Sequence, residues 1–259
     1  MIYFTKNGRD GILCALYESF TQKESPSAVY SSSFAPVIGK EVKEIVFDKE
    51  NADRVKNGII KHGGISLLSA LFYPLRSYSD DKETVVFKAA ERCLNMRKNV
   101  LDNFSDKFVL RHYELTKQIS YEVHRMEGFL RFEEAEGGYY ARFTPDNDII
   151  DLVAPHFKRR FSDEKFIIHD IKRNKLCFFD GEALHFLKPD KPVTVYLTAN
   201  EQAYSSLWKK YFKAVSVTER KNERLQDNWL PAVTAPTCPN SPLPKTLTKA
   251  KMRMIVTKR

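Results

Sequence analysis

The stretch EVHRMEGFLRF, residues 122–132, decides how the chain is read. Up to Glu127 apolar residues recur every three or four positions, as on a helix packed along one face. Beyond Gly128 they alternate, as on a half-buried strand. A change of period at a glycine predicts a helix that ends with Gly128 in the left-handed conformation and a strand that starts at once. The junction also gathers Glu122, His124, Arg125, Glu127 and Arg131. The last turn of a helix leaves carbonyls without partners, so it is a natural place for a scaffold to present polar groups. Cations there are also favoured by the helix dipole with no further role.

Working outward toward the C-terminus, strand patterns at 129–133 and 139–143 flank Gly137-Gly138, which predicts a β-hairpin. With those two glycines as the turn, Glu133 faces Arg142 and Phe132 faces Phe143. A turn slipped to Glu136-Gly137 would set Arg131 opposite Arg142, two like charges that call for an anion between them. Paired glycines suit a type I′ turn, so the first register is expected. A helix over 146–161, strained at Pro155, then leads to a second hairpin, 165–171 and 175–179, around Arg173-Asn174. The order strand-strand-helix-strand-strand reads as an antiparallel sheet with a helix on one face, class α+β.

Toward the N-terminus the pattern is mainly helical. A short strand over 2–5 precedes a turn at Asn7-Gly8 and a helix with Ile12, Leu13, Leu16 and Phe20 on its apolar face. Residues 25–33 read as a Ser-rich loop, 42–47 as a second strand, and Asp48 as the N-cap of a helix that breaks at Gly63-Gly64. A helix after Asp80-Asp81 carries Val85, Val86, Ala89, Cys93, Met96 and Val100 at helical spacing. The next, over 106–127, carries Val109, Leu115, Ile119, Val123 and Met126. Two further helical patterns, 200–214 and 217–228, close the chain. The expected organisation is one α+β domain over residues 1–232, helical over 1–127 and sheet plus closing helices over 128–232. Residues 233–259 hold four of the chain's 12 prolines and no aromatic residue. They read as a disordered basic tail outside the fold, with the abrupt change of composition that a shifted reading frame would produce.

At 259 residues with 42% hydrophobic composition the chain can build a core of its own. It lacks an apolar run long enough to cross a membrane and a secretion signal at its start, so a cytoplasmic protein is expected. Cys14, Cys93, Cys177 and Cys238 are too scattered for a cysteine-held metal or cluster, and no cofactor is expected. The net charge of +9 points to a polyanion, but Lys245, Lys249, Lys251, Arg253, Lys258 and Arg259 all follow Ala232 with no acid among them. The remaining body is nearly balanced, with local basic clusters at Arg97-Lys98, at Lys158-Arg159-Arg160 and around Lys172-Arg173.

Nucleotide-binding and hydrolase signatures are missing: no Walker A loop, GxGxxG, HExxH or GxSxG. What remains are histidines beside carboxylates: His124 near Glu122 and Glu127, His156 in HFKRRF (156–161), and His169-Asp170 in IIHDIKRNK (167–175). A His–carboxylate pair can act as a general base near neutral pH, and more often is a hydrogen-bonded structural pair. Arginines next to aromatics (Arg131-Phe132, Arg142-Phe143, Arg160-Phe161) have the chemistry to clamp phosphates and stack unpaired bases. The same alternation is the ordinary two-faced pattern of a half-buried strand or helix.

In this order EVHRMEGFLRF, HFKRRF, the 169–173 stretch, LWKKYF (207–212) and ERKNERLQDNWLP (219–231) resemble the uncharacterised bacterial "probable DNA metabolism protein" family, over roughly residues 1–232. Members of that family look like partners of a DNA-modification or repair radical-SAM protein, and similar domains occur fused to uracil-DNA-glycosylase-like domains, so the resemblance implies DNA repair or modification. This chain has neither the radical-SAM cysteine motif nor a glycosylase motif, so it would be the companion that engages DNA. The residues expected at its site are His124, His156, His169 and Asp170 for proton transfer or orientation. Arg125, Arg131, Arg142, Arg159, Arg160 and Arg173 are the expected nucleic-acid contacts, with single-stranded or damaged DNA favoured. Two other readings stay open: a stand-alone hydrolase or lyase acting on damaged DNA, and a protein-interaction scaffold. The first needs the histidines to converge on one cleft; the second expects them dispersed.

Overall fold

The chain opens with a β-α-β crossover. Ile2–Thr5 (β1) leads through Gly8–Gln22 (α1) to Ala28–Tyr30 (β2), and β1 lies between β2 and Val42–Ile45 (β3) in a sheet with both pairings parallel. The structure is a computed structural model that describes residues 1–31, 41–190, 193 and 195–215. It divides into two compact units, Met1–Ser120 and Tyr121–Arg259.

In the first unit Ile12, Leu13 and Leu16 of α1 are buried as their spacing predicts, while Phe20 is exposed. Asp48 caps Lys49–Phe72 (α2), its carboxylate accepting from the Glu50 and Asn51 amides. Gly63-Gly64 kinks α2 without ending it, with φ 72° at Gly64 and helix on both sides. Val85, Val86, Ala89 and Cys93 of Lys82–Met96 (α3) are core, whereas Met96 is exposed.

The strand β2 falls where a Ser-rich loop was expected, and α3 explains it. Thr84 Oγ1 accepts from the Val29 amide at 2.9 Å and donates to the Val29 carbonyl at 3.0 Å, so one side chain satisfies both polar groups of this edge residue. Lys88 Nζ and Glu91 both bond Ser25 Oγ, and Ser31 Oγ donates to Glu83 at 2.5 Å. Its ladder partner β1 lies 26 residues upstream and these α3 partners 52 to 66 residues downstream, all beyond the reach of any local pattern.

The helix of the opening stretch, Lys107–Phe129 (α4), within which the second unit starts at Tyr121, continues through Gly128, which does not take positive φ. The expected glycine stop is therefore absent, and the strand begins later, at Glu133–Ala135 (β4). With Gly138–Phe143 (β5), Ile150–Arg160 (α5), Phe166–Asp170 (β6), Lys175–Phe179 (β7) and Leu184–Leu187 (β8), it builds a five-stranded sheet in chain order. The α+β class holds, but the sheet is mixed. β4–β5, β6–β7 and β7–β8 are antiparallel, while β5 and β6 run parallel because α5 carries the chain back across the sheet to the end where β5 began.

The β4–β5 register is the slipped one, with Ala135 opposite Gly138 and Glu133 opposite Tyr140, so Glu136-Gly137 form the turn. Gly137 alone of this pair has positive φ (89°), which excludes type I′. Gly138 has a different task. A Cβ there would lie 2.4 Å from the Lys165 carbonyl oxygen, so it is glycine to let β6 close on β5. The feared Arg131–Arg142 confrontation does not arise, because pairing stops at Glu133.

One face of this sheet packs under α5, where Phe132 meets Phe157, Phe161 and Phe166 at ring separations of 4.8 to 5.6 Å. Ala199–Val215 (α6) follows an isolated bridge between Ala135 and Leu197. The expected helix over 217–228 and the tail over 233–259 lie outside the described residues. Among the described residues no helix is long and apolar enough to cross a membrane.

Candidate functional site

Several of the expected site residues are committed to holding the second unit together. Asp170, fully buried at the end of β6, accepts from the Arg173 amide and from Arg173 Nη1, each at 3.1 Å. The Arg173 guanidinium also donates to the Pro145 and Asp146 carbonyls. The pair locks the β6–β7 turn to the loop before α5. Arg131 donates from Nη2 to Glu201 Oε1 at 2.6 Å, tying the start of the sheet to α6. Glu122 accepts from the Asp146 and Asn147 amides and from Asn147 Nδ2, at 2.6 to 2.9 Å. That capture holds the chain out of helix until Ile150, four residues after the expected start.

The histidines take three different situations. His169 is buried, its Nδ1 sharing a 2.9 Å hydrogen bond with the Tyr140 hydroxyl. Burial pushes the His169 pKa down and the Tyr140 pKa up to about 12, so both stay neutral across the physiological range. His156 Nδ1 lies 3.7 Å from Glu127 Oε1, too long for a hydrogen bond, with its ring edge-on to Phe157. His124 is exposed on α4, three residues before Glu127 and so on a neighbouring part of the same helix surface. Among the described residues no group of three or more His, Cys, Asp or Glu is placed to hold a metal ion.

Some other cations of this unit form no ion pair or side-chain hydrogen bond among the described residues. Arg159 and Arg160 are exposed in the last turn of α5, and Lys165 is exposed just before β6. Arg125 and Arg142 are half-buried, each with a buried Nε that has no hydrogen-bond partner among the described residues.

Beside Lys165 lies a groove of about 540 Å³, in the size range of small-ligand sites. Its floor is one cross-strand row, Tyr140, Ile167 and Phe178, brought into register by β5, β6 and β7. Tyr196 closes one side. Its carbonyl accepts from the Glu136 amide at 3.1 Å, pinning the backbone to the β4–β5 turn while its ring stays half exposed. Lys165 lies two residues before Ile167 and Gly138 two before Tyr140, so the rim of the same face carries a cation and a gap where a side chain would stand. Two residues beyond Tyr140, on the same face, comes Arg142, in register with His169.

A family model described as a domain of unknown function, DUF4130, matches residues 80–234. The chain belongs to the DUF4130 family. The DUF4130 match takes in α3, α4 and the whole five-stranded sheet with its groove, and leaves β1, β2 and β3 outside. No curated protein and no solved structure matches the chain.

Apart from the turn residues Glu136, Gly137 and Gly138, none of the groove's lining was singled out from sequence. The readable signal was Gly137-Gly138, a second glycine more than the turn needs. Tyr140, Ile167, Phe178 and Tyr196 are up to 56 residues apart and meet only through strand register and the bridge at Leu197.

Proposed function

We propose that this DUF4130 protein engages DNA as an accessory in repair or modification, alongside a radical-SAM partner. The observation that carries the reading is the set of exposed cations at one end of the second unit, Arg159, Arg160 and Lys165, which the exposed Asp163 and Glu164 interrupt. The C-terminal turn of α5 feeds the start of β6, so Arg159, Arg160 and Lys165 share the end of the sheet where the groove opens. These cations are exposed, as phosphate contacts must be, in contrast to Arg131 and Arg173, which are spent on internal partners. Aromatic rings beside exposed cations suit an unpaired strand better than a closed duplex, whose bases offer no free face. The radical-SAM partner rests on the family resemblance of the sequence alone.

Fluorescence anisotropy with labelled single-stranded and duplex DNA tests the proposal. Single strands should bind more tightly than duplex at low salt. The double variant Arg159→Ala/Arg160→Ala should weaken binding to all sequences and flatten the plot of log affinity against log salt by about 1.5. Absence of affinity for any DNA at low salt, where phosphate attraction is greatest, overturns it. Co-purification of this chain with its radical-SAM protein on co-expression tests the partner.

A further inference from the structure

We infer that the groove over Tyr140, Ile167 and Phe178 is a pocket for one unpaired nucleobase of a DNA strand, with Lys165 on the adjoining phosphate. This rests on the DNA-engaging reading and names what the site would hold.

The groove has the three features that such a ligand needs. A base is a flat, largely apolar object, and the floor is an apolar row in which Ile167 and Phe178 are partly exposed and Tyr140 is buried, with a half-exposed ring from Tyr196 at the side. Its edge carries donors and acceptors, and the Glu136 carboxylate at the rim supplies an acceptor for an exocyclic amine. Its sugar joins phosphates, and Lys165 stands at the mouth on the floor's own face, exposed and five residues after Arg160. Beyond Tyr140 the buried Nε of Arg142, without a partner among the described residues, marks a second donor on this face. A buried donor without an acceptor is destabilising, and a polar ligand group that reached it would remove that cost.

The frame around the pocket is rigid. The Tyr140 hydroxyl is fixed by His169, the Tyr196 backbone by the Glu136 amide, and the β5–β6 approach by Gly138. Binding a base therefore orders few protein groups, which favours affinity. A fully paired duplex has no base to offer, so the pocket would sense a bulged, flipped or single-stranded position.

The full chain is titrated at low salt with three DNAs: a duplex carrying one bulged base, the same duplex with an abasic site at the bulge, and the fully paired duplex. The bulged base should bind roughly 5- to 150-fold more tightly than the abasic analogue, the range set by stacking of one base. Tyr196→Ala should abolish this ratio while preserving salt-dependent binding, and Tyr196→Phe should restore it. Lys165→Ala should weaken the bulged and abasic DNAs alike. Equal affinity for these two, or a ratio that survives Tyr196→Ala, overturns the pocket and leaves the DNA-engaging reading standing. No binding to any of the three removes both.

Discussion

His169 shows how a residue that reads as a candidate base becomes part of the frame. It is followed by an aspartate, as a general base oriented by a carboxylate would be, yet Asp170 points to the opposite face of β6 and is occupied by Arg173. The imidazole instead meets a tyrosine in a buried site that disfavours its charge. His112 is in the same position, buried with Nε2 against the Leu71 carbonyl at 3.0 Å and its pKa pushed down by burial. Both groups bind a proton more readily in the unfolded chain. The stability that they contribute is thus present above about pH 6.5, the unfolded value, and is lost as the pH falls through their lower folded values. Denaturant unfolding should show stability falling by up to about 1.4 kcal/mol per pH unit for each histidine in that window. In a His169→Gln variant the fall should be smaller by one histidine's share, and an unchanged slope would show that His169 does not titrate differently on folding.

At the scale of elements the β4–β5–β6 arrangement turns on two adjacent glycines with different jobs. Gly137 needs positive φ for the turn, with open space around it; Gly138 needs the absence of a Cβ beside the Lys165 backbone. Gly137→Ala should therefore cost about 1 to 2 kcal/mol, the price of a strained φ. Gly138→Ala adds a backbone clash at 2.4 Å and should cost clearly more. It should also perturb the chemical shifts of β6 residues in NMR spectra, which Gly137→Ala would leave in place. Equal costs for the two would mean that β6 can move away freely. The same reasoning explains the register: a strand that must lie against β6 cannot place its glycine in the turn.

At the scale of the whole molecule, charge and fold are separable. Six cations of the net +9 lie after residue 232, beyond the elements described, and the composition there offers little apolar surface to bury. Deleting residues 233–259 should shift the melting temperature by less than about 2 °C, a change smaller than 1 kcal/mol would produce in a domain of this size. The salt dependence of non-specific DNA binding should weaken, and the preference for a bulged base should persist. A drop of several degrees would show that the segment belongs to the fold.

The sequence by itself determined the α+β class, the existence of the helices α1 to α6, most of the core residues on the apolar faces of α1 and α3, the Asp48 cap and the β6–β7 hairpin. Each follows from contacts within a few residues, where period, capping and turn chemistry act. It located Glu122, Arg131, His169, Asp170 and Arg173 as notable polar residues but not their work, since, the Asp170–Arg173 pair aside, their partners lie 24 to 70 residues away. Only the tertiary structure decided the parallel β5–β6 pairing, the register of the glycine hairpin, the strands β2 and β8, and the groove. Those depend on which strand lies beside which, and that choice is made by the path of α5, the closeness of Lys165 to Gly138 and the side chains of α3, none of which leaves a periodic mark on the chain.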